Sequence, residues 1–276
     1  QKGAEPRSLS TFETDIPAMR RLIIYTLVMT MMCLVSCEMP EYEVRCFPQR
    51  ITTNVNAGTS SYTVTADYKY DGERVDYIIL SIGQTHYFSY NEDGQVTHVR
   101  KVDVKTRQKE ELRLQYDGNQ LTKVDIYVMN LDMLTHDDLD TTNTRYHDYT
   151  YSGRYISKEE VYARDKDAGR FEKVTENHFT FDGNGNITEY TTTDVRSGNT
   201  QTYAFEYDGQ KNPFHELSMY FTGESYVNNM TEKKDVGSNT TFTYQIIYNE
   251  DKYPEQVIEK DNGVISRVMR FTYFCK

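Results

Sequence analysis

Apolar and polar residues alternate with a period of two along most of this chain. In Leu112 to Val128, Leu112, Leu114 and Tyr116 alternate with Arg113 and Gln115. Asp117-Gly118-Asn119 follows, and the alternation resumes at Val124, Ile126 and Val128. Residues tolerant of positive φ between two alternating arms predict a β-hairpin. The same phrase recurs as YKYDG (68–72), FSYNEDG (88–94), YTYSG (149–153), FTFDGNG (179–185), FEYDG (205–209) and IIYNED (246–251). Each copy places two aromatic or aliphatic residues two positions apart just before a turn, and in every copy but IIYNED the residue between them is polar. The spacing leaves room for two strands and a looser loop between successive tight turns. Those looser loops are expected at 129–144, 165–169, 196–199, 224–239 and 261–263.

No segment carries a convincing run of apolar residues at i, i+3, i+4 and i+7, so little helix is expected. The prediction is all-β: an antiparallel up-and-down meander of about 14 strands, curled into a barrel-like or strongly curved sheet. Closure into a barrel would remove the two exposed sheet edges that a long meander otherwise leaves.

Composition sharpens this. Only 37% of residues are hydrophobic, with 24 Tyr, 12 Phe and no Trp. That balance fits a sheet with one dry face and one wet face. The formal charge of −11 argues against nucleic acid or an anionic lipid surface as partner.

The N-terminal part has a different character. Arg20 and Arg21 precede the apolar run Leu22 to Val35, which has the make-up of a secretory signal. The run ends Leu34-Val35-Ser36-Cys37, which resembles the bacterial lipobox. That resemblance implies cleavage before Cys37 and lipidation of Cys37. Residues 1–18 then read as an upstream extension outside the fold, 19–36 as the signal peptide, 37–58 as anchor and linker, and 59–276 as a single β-meander domain. After removal of Cys33 and lipidation of Cys37, two thiols remain, Cys46 and Cys275. In an oxidising compartment they could tie the first strand to the last or stay free; the residues leave both open.

Candidate chemistry is sparse. Asp182, Asn184 and Asn186 present oxygens at alternate positions, as a calcium loop does, but Ile187 and Thr193 stand where that loop needs Gly and Glu. His136 and Asp138 lie in the densest cluster of potential metal ligands, within a polar Thr/Asn-rich stretch. A hairpin turn and a solvated loop explain the same residues. There is no GxSxG elbow, HExxH pair, CxxC or phosphate-binding glycine loop. No cofactor and no catalytic residue is therefore expected.

The aromatic-Asp-Gly hairpins resemble the YD repeats of Rhs-type proteins. A lipobox followed by such hairpins resembles the Bacteroidota lipoproteins grouped as DUF4595, with FEYDGQKNPF (205–214) and YNEDKYPEQV (248–257) carrying the likeness best. The resemblance implies an extracytoplasmic protein with a porin-like, barrel-like antiparallel sheet; the expected location is the cell envelope, anchored at the outer membrane and either periplasmic or surface-exposed. It implies no known reaction. The expected role is a binding module without catalysis, held to the membrane through Cys37 and meeting a protein or glycan partner. A barrel-type carrier of a small hydrophobic ligand and a hydrolase acting at the loop edge are the alternatives.

Overall fold

In the computed structural model, residues 45–57, 60–130, 143–165, 167–215 and 226–276 are described. They form sixteen antiparallel strands in chain order: β1 Cys46–Ala57, β2 Ser60–Asp71, β3 Arg74–Leu80, β4 Gln84–Tyr90, β5 Val96–Asp103, β6 Gln108–Asp117, β7 Gln120–Asn130 and β8 Asn143–Ser152. There follow β9 Tyr155–Arg164, β10 Phe171–Phe181, β11 Ile187–Asp194, β12 Thr200–Lys211, β13 Asn228–Asp235, β14 Thr241–Tyr248, β15 Pro254–Asp261 and β16 Val264–Cys275. Each strand pairs with its sequence neighbours, and β1 pairs with β16, so the meander closes into a barrel. The expected barrel is present, with sixteen strands rather than fourteen.

Two stretches depart from the sequence expectation. The stretch 37–58, expected to be anchor and linker, contains β1. Pro48, which cannot donate to a sheet ladder, sits where the β1–β16 register shifts between Pro48 and Arg50. A bulge is one of the few places where a sheet tolerates a residue without an N–H. Asp208-Gly209, expected to turn, lies inside β12 instead, and β13 occupies part of the loop expected over 224–239. The connection here runs from 212 to 227. Asn212 donates its backbone N–H to Val227 at 2.9 Å, which closes the base of that connection.

The two faces of the wall differ in chemistry. Facing inward are the buried Tyr68, Ile78, Phe88, Val99, Leu112, Leu114 and Val124, which form one apolar cluster. Phe179, Ile187, Phe205 and Tyr226 form a second. The alternate residues, facing outward, are charged even at mid-strand. Lys158 and Lys173 bridge Glu160 and Glu176 across β9 and β10 at 2.7–3.3 Å, and His178 meets Glu176 at 2.9 Å. Further round, Arg100 lies over the Tyr87 ring, Arg113 over Tyr127 and Lys123 over Tyr146, all within 4.6 Å of the ring centroid. These long side chains cover the outward Glu111 and Asp125 so well that both are buried.

Candidate functional site in the barrel interior

The repeated phrase builds an aromatic belt inside one rim. Its second aromatic falls at Tyr70, Tyr90, Tyr116, Tyr151, Phe181, Tyr207 and Tyr248, all on even-numbered strands, and Tyr273 of β16 completes the ring. In every hairpin a bulge lies immediately before that residue. The bulge turns the side chain so that its hydroxyl reaches the wall of the adjacent hairpin. Tyr70 donates to the Pro48 carbonyl at 2.7 Å, Tyr90 to Val75 at 2.8 Å and Tyr116 to Val96 at 2.8 Å. Tyr151 donates to Leu121 at 3.2 Å, Tyr207 to Ile187 at 2.7 Å and Tyr273 to Pro254 at 2.7 Å. Val75, Val96 and Leu121 are themselves the register partners of Tyr70, Tyr90 and Tyr116. The motif is therefore a set of interlocking struts as well as turn chemistry. Burial pushes the Tyr70 and Tyr273 phenols well above their ordinary range, which keeps these donors protonated. Two positions deviate: Tyr248 bonds the carboxylate of Asp208, and Phe181 has no hydroxyl to give.

At the belt rim, residues 212–215 begin the connection between β12 and β13. Asn212 caps its own turn by accepting from the Phe214 N–H at 2.9 Å. Phe214 then packs against Tyr68 of β2 and Phe271 of β16, at ring separations of 5.9 and 5.8 Å. Next to Phe214, with His215 at its edge, lies a cavity of about 380 Å³ lined chiefly by Tyr149, Tyr151, Tyr155, Phe179, Phe181 and Ile187.

Beyond the apolar layer the interior becomes polar. Glu159 on β9 is buried. It accepts hydrogen bonds from His147 Nδ1 at 2.7 Å, from Asn177 Nδ2 at 2.6 Å and from the Tyr149 hydroxyl. Tyr190 donates in turn to Asn177 Oδ1 at 3.2 Å. Burial alone would raise the Glu159 carboxyl, but these donors outweigh it and hold it below the ordinary carboxylate range. Burial, with a smaller part from Glu159, lifts the Tyr149 phenol well above its own.

On β4, His86 faces the same interior and pairs in register with Ile78 and Lys101. Burial and the Lys101 ammonium lower its pKa to about 4, with Glu110 opposing them. The folded protein thus holds His86 neutral where an unfolded chain would protonate it. Its contribution is complete above about pH 6.5 and is lost as the pH falls toward 4. Those two pKa values correspond to about 3 kcal/mol. Urea unfolding of the wild type at pH 7 and pH 4 should differ by more than that of His86→Gln. Equal pH dependence in the two proteins would remove His86 from the account.

The residues proposed for metal binding serve other ends or lie elsewhere. Asp182 Oδ1 accepts the backbone N–H groups of Asn184, Gly185 and Asn186 at 2.8–2.9 Å, and Oδ2 accepts from Asn186 Nδ2 at 3.0 Å. The carboxylate is committed to its turn. Asn186, almost wholly buried, also donates to Asn228 Oδ1 at 2.9 Å and so ties that turn to β13. Asn184 lines the cavity described above. His136, Asp138 and Cys37 lie outside the described residues. Cys46 and Cys275, direct partners across the β1–β16 seam, are joined by a disulfide. Sequence reasoning missed Glu159, His147, Asn177, Arg154 and Tyr155. The only signal available was Phe181, the one phenylalanine at a belt position.

No known family profile matches the sequence, and no curated protein does. Solved structures do match. The chain is similar to a porin-like protein from Bacteroides uniformis, 12% identical, over 82% of this chain and 96% of that one, with a TM-score of 0.54. A porin-like protein from Bacteroides vulgatus is 10% identical over 83% of this chain and 98% of that one, with a TM-score of 0.51. What is shared is the fold.

Proposed function

We propose that this chain is an envelope lipoprotein of the Bacteroidota DUF4595 type, tethered through Cys37, whose barrel stands in water and acts by binding. One observation carries the reading: the outward charge at mid-strand. A barrel that spans a bilayer turns an apolar band to lipid, and each Lys or Arg at the midplane costs roughly 2–4 kcal/mol. Here the Lys158, Glu160, Lys173 and Glu176 ladder occupies that position, while the apolar clusters face inward. The arrangement supports a closed vessel beside the membrane rather than a pore through it. The lipobox-like segment supports the tether, and the porin-like neighbours support a non-catalytic barrel. A protein or glycan on the outer surface is the expected partner of the binding module.

The test is fractionation of cells expressing wild type and Cys37→Ser. Wild type should incorporate a clickable palmitate and sediment with membranes. Cys37→Ser should lose the label and appear in the soluble fraction after a carbonate wash. A Cys37→Ser protein that stays in the membrane after carbonate would overturn the reading in favour of a membrane barrel. Protease shaving of intact cells then distinguishes an outward-facing domain from one enclosed in the periplasm.

A further inference from the structure

The 380 Å³ cavity lies where the two apolar clusters fail to meet. Tyr149 packs on the first cluster, whereas Ile156, Phe179, Phe181 and Ile187 belong to the second or pack on it. Its volume falls within the range of small-molecule sites. It also coincides with Phe181, the belt position that supplies no strut.

The wall beside Phe181 is fixed in place. The Tyr155 ring stacks on Phe181 at 4.8 Å and 13°. The Arg154 guanidinium lies 4.7 Å from the centroid of that same Tyr155 ring. On another side the turn closes in: at Gly185, with φ +97°, an added Cβ would come within 3.0 Å of the Tyr155 ring. Yet the Tyr155 hydroxyl, held there and shut off from solvent, has no hydrogen-bond partner. A buried donor left unmade is costly, and an acceptor arriving in the cavity would satisfy it. Arg154 forms no ion pair with a described residue.

We infer that this cavity binds a planar aromatic carboxylate, with its ring among Tyr151, Phe179 and Phe181 and its carboxylate taking the Tyr155 O–H and the Arg154 guanidinium. Three aromatic walls favour a flat ring over a flexible chain, since stacked and edge contacts add to simple burial. The adjacent donor and cation select an anionic end. The inference rests on the reading that the barrel acts by binding.

Isothermal titration of the full chain with trans-cinnamate, cinnamamide and octanoate tests it. Cinnamate should bind, with cinnamamide and octanoate each at least about tenfold weaker. Tyr155→Phe removes only an unpaired hydroxyl, and Arg154→Gln removes an exposed rim charge together with its contact to the Tyr155 ring. Each should weaken cinnamate about tenfold, while Tyr155→Phe keeps or slightly raises the thermal midpoint and Arg154→Gln, losing one exposed ring contact, stays within a few degrees of wild type. Cinnamate heats absent up to millimolar concentration would overturn the site. Octanoate binding as tightly as cinnamate would overturn the ligand class. Wild-type affinity in both variants would place any binding elsewhere and overturn the assignment. Each of these failures leaves the Cys37→Ser fractionation result untouched, so the pocket and the tethered-barrel reading can fall separately.

Discussion

Reducing the Cys46–Cys275 disulfide should lower the thermal midpoint by roughly 10 °C. The bond joins residues separated by 229 positions. It lies across the one seam that no hairpin holds, because β1 and β16 are the two ends of the described chain. Cross-linking a loop of that length removes about 5 kcal/mol of chain entropy from the unfolded ensemble in the simplest treatment. Residual structure in that ensemble brings the expectation to about 3–5 kcal/mol, and each kcal/mol is worth roughly 2–4 °C in a domain of this size. Differential scanning calorimetry of wild type with and without reductant, beside Cys46→Ser/Cys275→Ser, measures it. The double variant should match the reduced wild type and ignore reductant. A midpoint that does not move on reduction, or two free thiols in a DTNB titration of the unfolded, unreduced protein, would contradict the cross-link.

The barrel itself was legible because its grammar is local. Period-two alternation and Asp-Gly or Asn-rich turns mark strands and hairpins wherever both occur, as at Tyr116 to Leu121. Where the two signals conflict, the reading failed for identifiable reasons. Pro48 masked β1, because its missing N–H falls harmlessly at a bulge. Asp208-Gly209 has the composition of a turn, but there the chain continues in β12, with Asp208 bonded to Tyr248 of β14. The aromatic repeat was visible as a pattern, whereas its work as a ring of struts depends on bulges and register. The interior sites lay further out of reach. Glu159 meets His147 and Asn177 through pairings of β9 with β8 and β10, and Tyr149 faces Phe179 across a cavity that no single strand encodes. Asp182 to Asn186 drew attention to this rim for calcium chemistry, while Asn184 and Gly185 there border a pocket walled by aromatics.

Truncating Glu159 should be among the most damaging single changes in the interior. Its carboxylate is the common acceptor for His147, Asn177 and Tyr149. Glu159→Ala leaves three donors facing one another in a buried site, and removing one partner from such a network costs roughly 3–5 kcal/mol. Glu159→Gln keeps an acceptor oxygen and nearly the same volume, so about half that loss is expected. Equilibrium urea unfolding at pH 7 should rank wild type above Glu159→Gln, and that above Glu159→Ala. The pH dependence separates charge from packing. The folded carboxyl is held below the ordinary glutamate value of 4.5, so its stabilisation is fully present above that pH. It is lost as the pH falls through the lower folded value. Wild type should therefore converge toward Glu159→Gln as the pH falls below that range, whereas Glu159→Ala should stay less stable at every pH because its cavity does not titrate. A constant gap between wild type and Glu159→Gln from pH 7 to pH 3 would mean that the carboxylate charge contributes nothing and that shape alone holds this layer together.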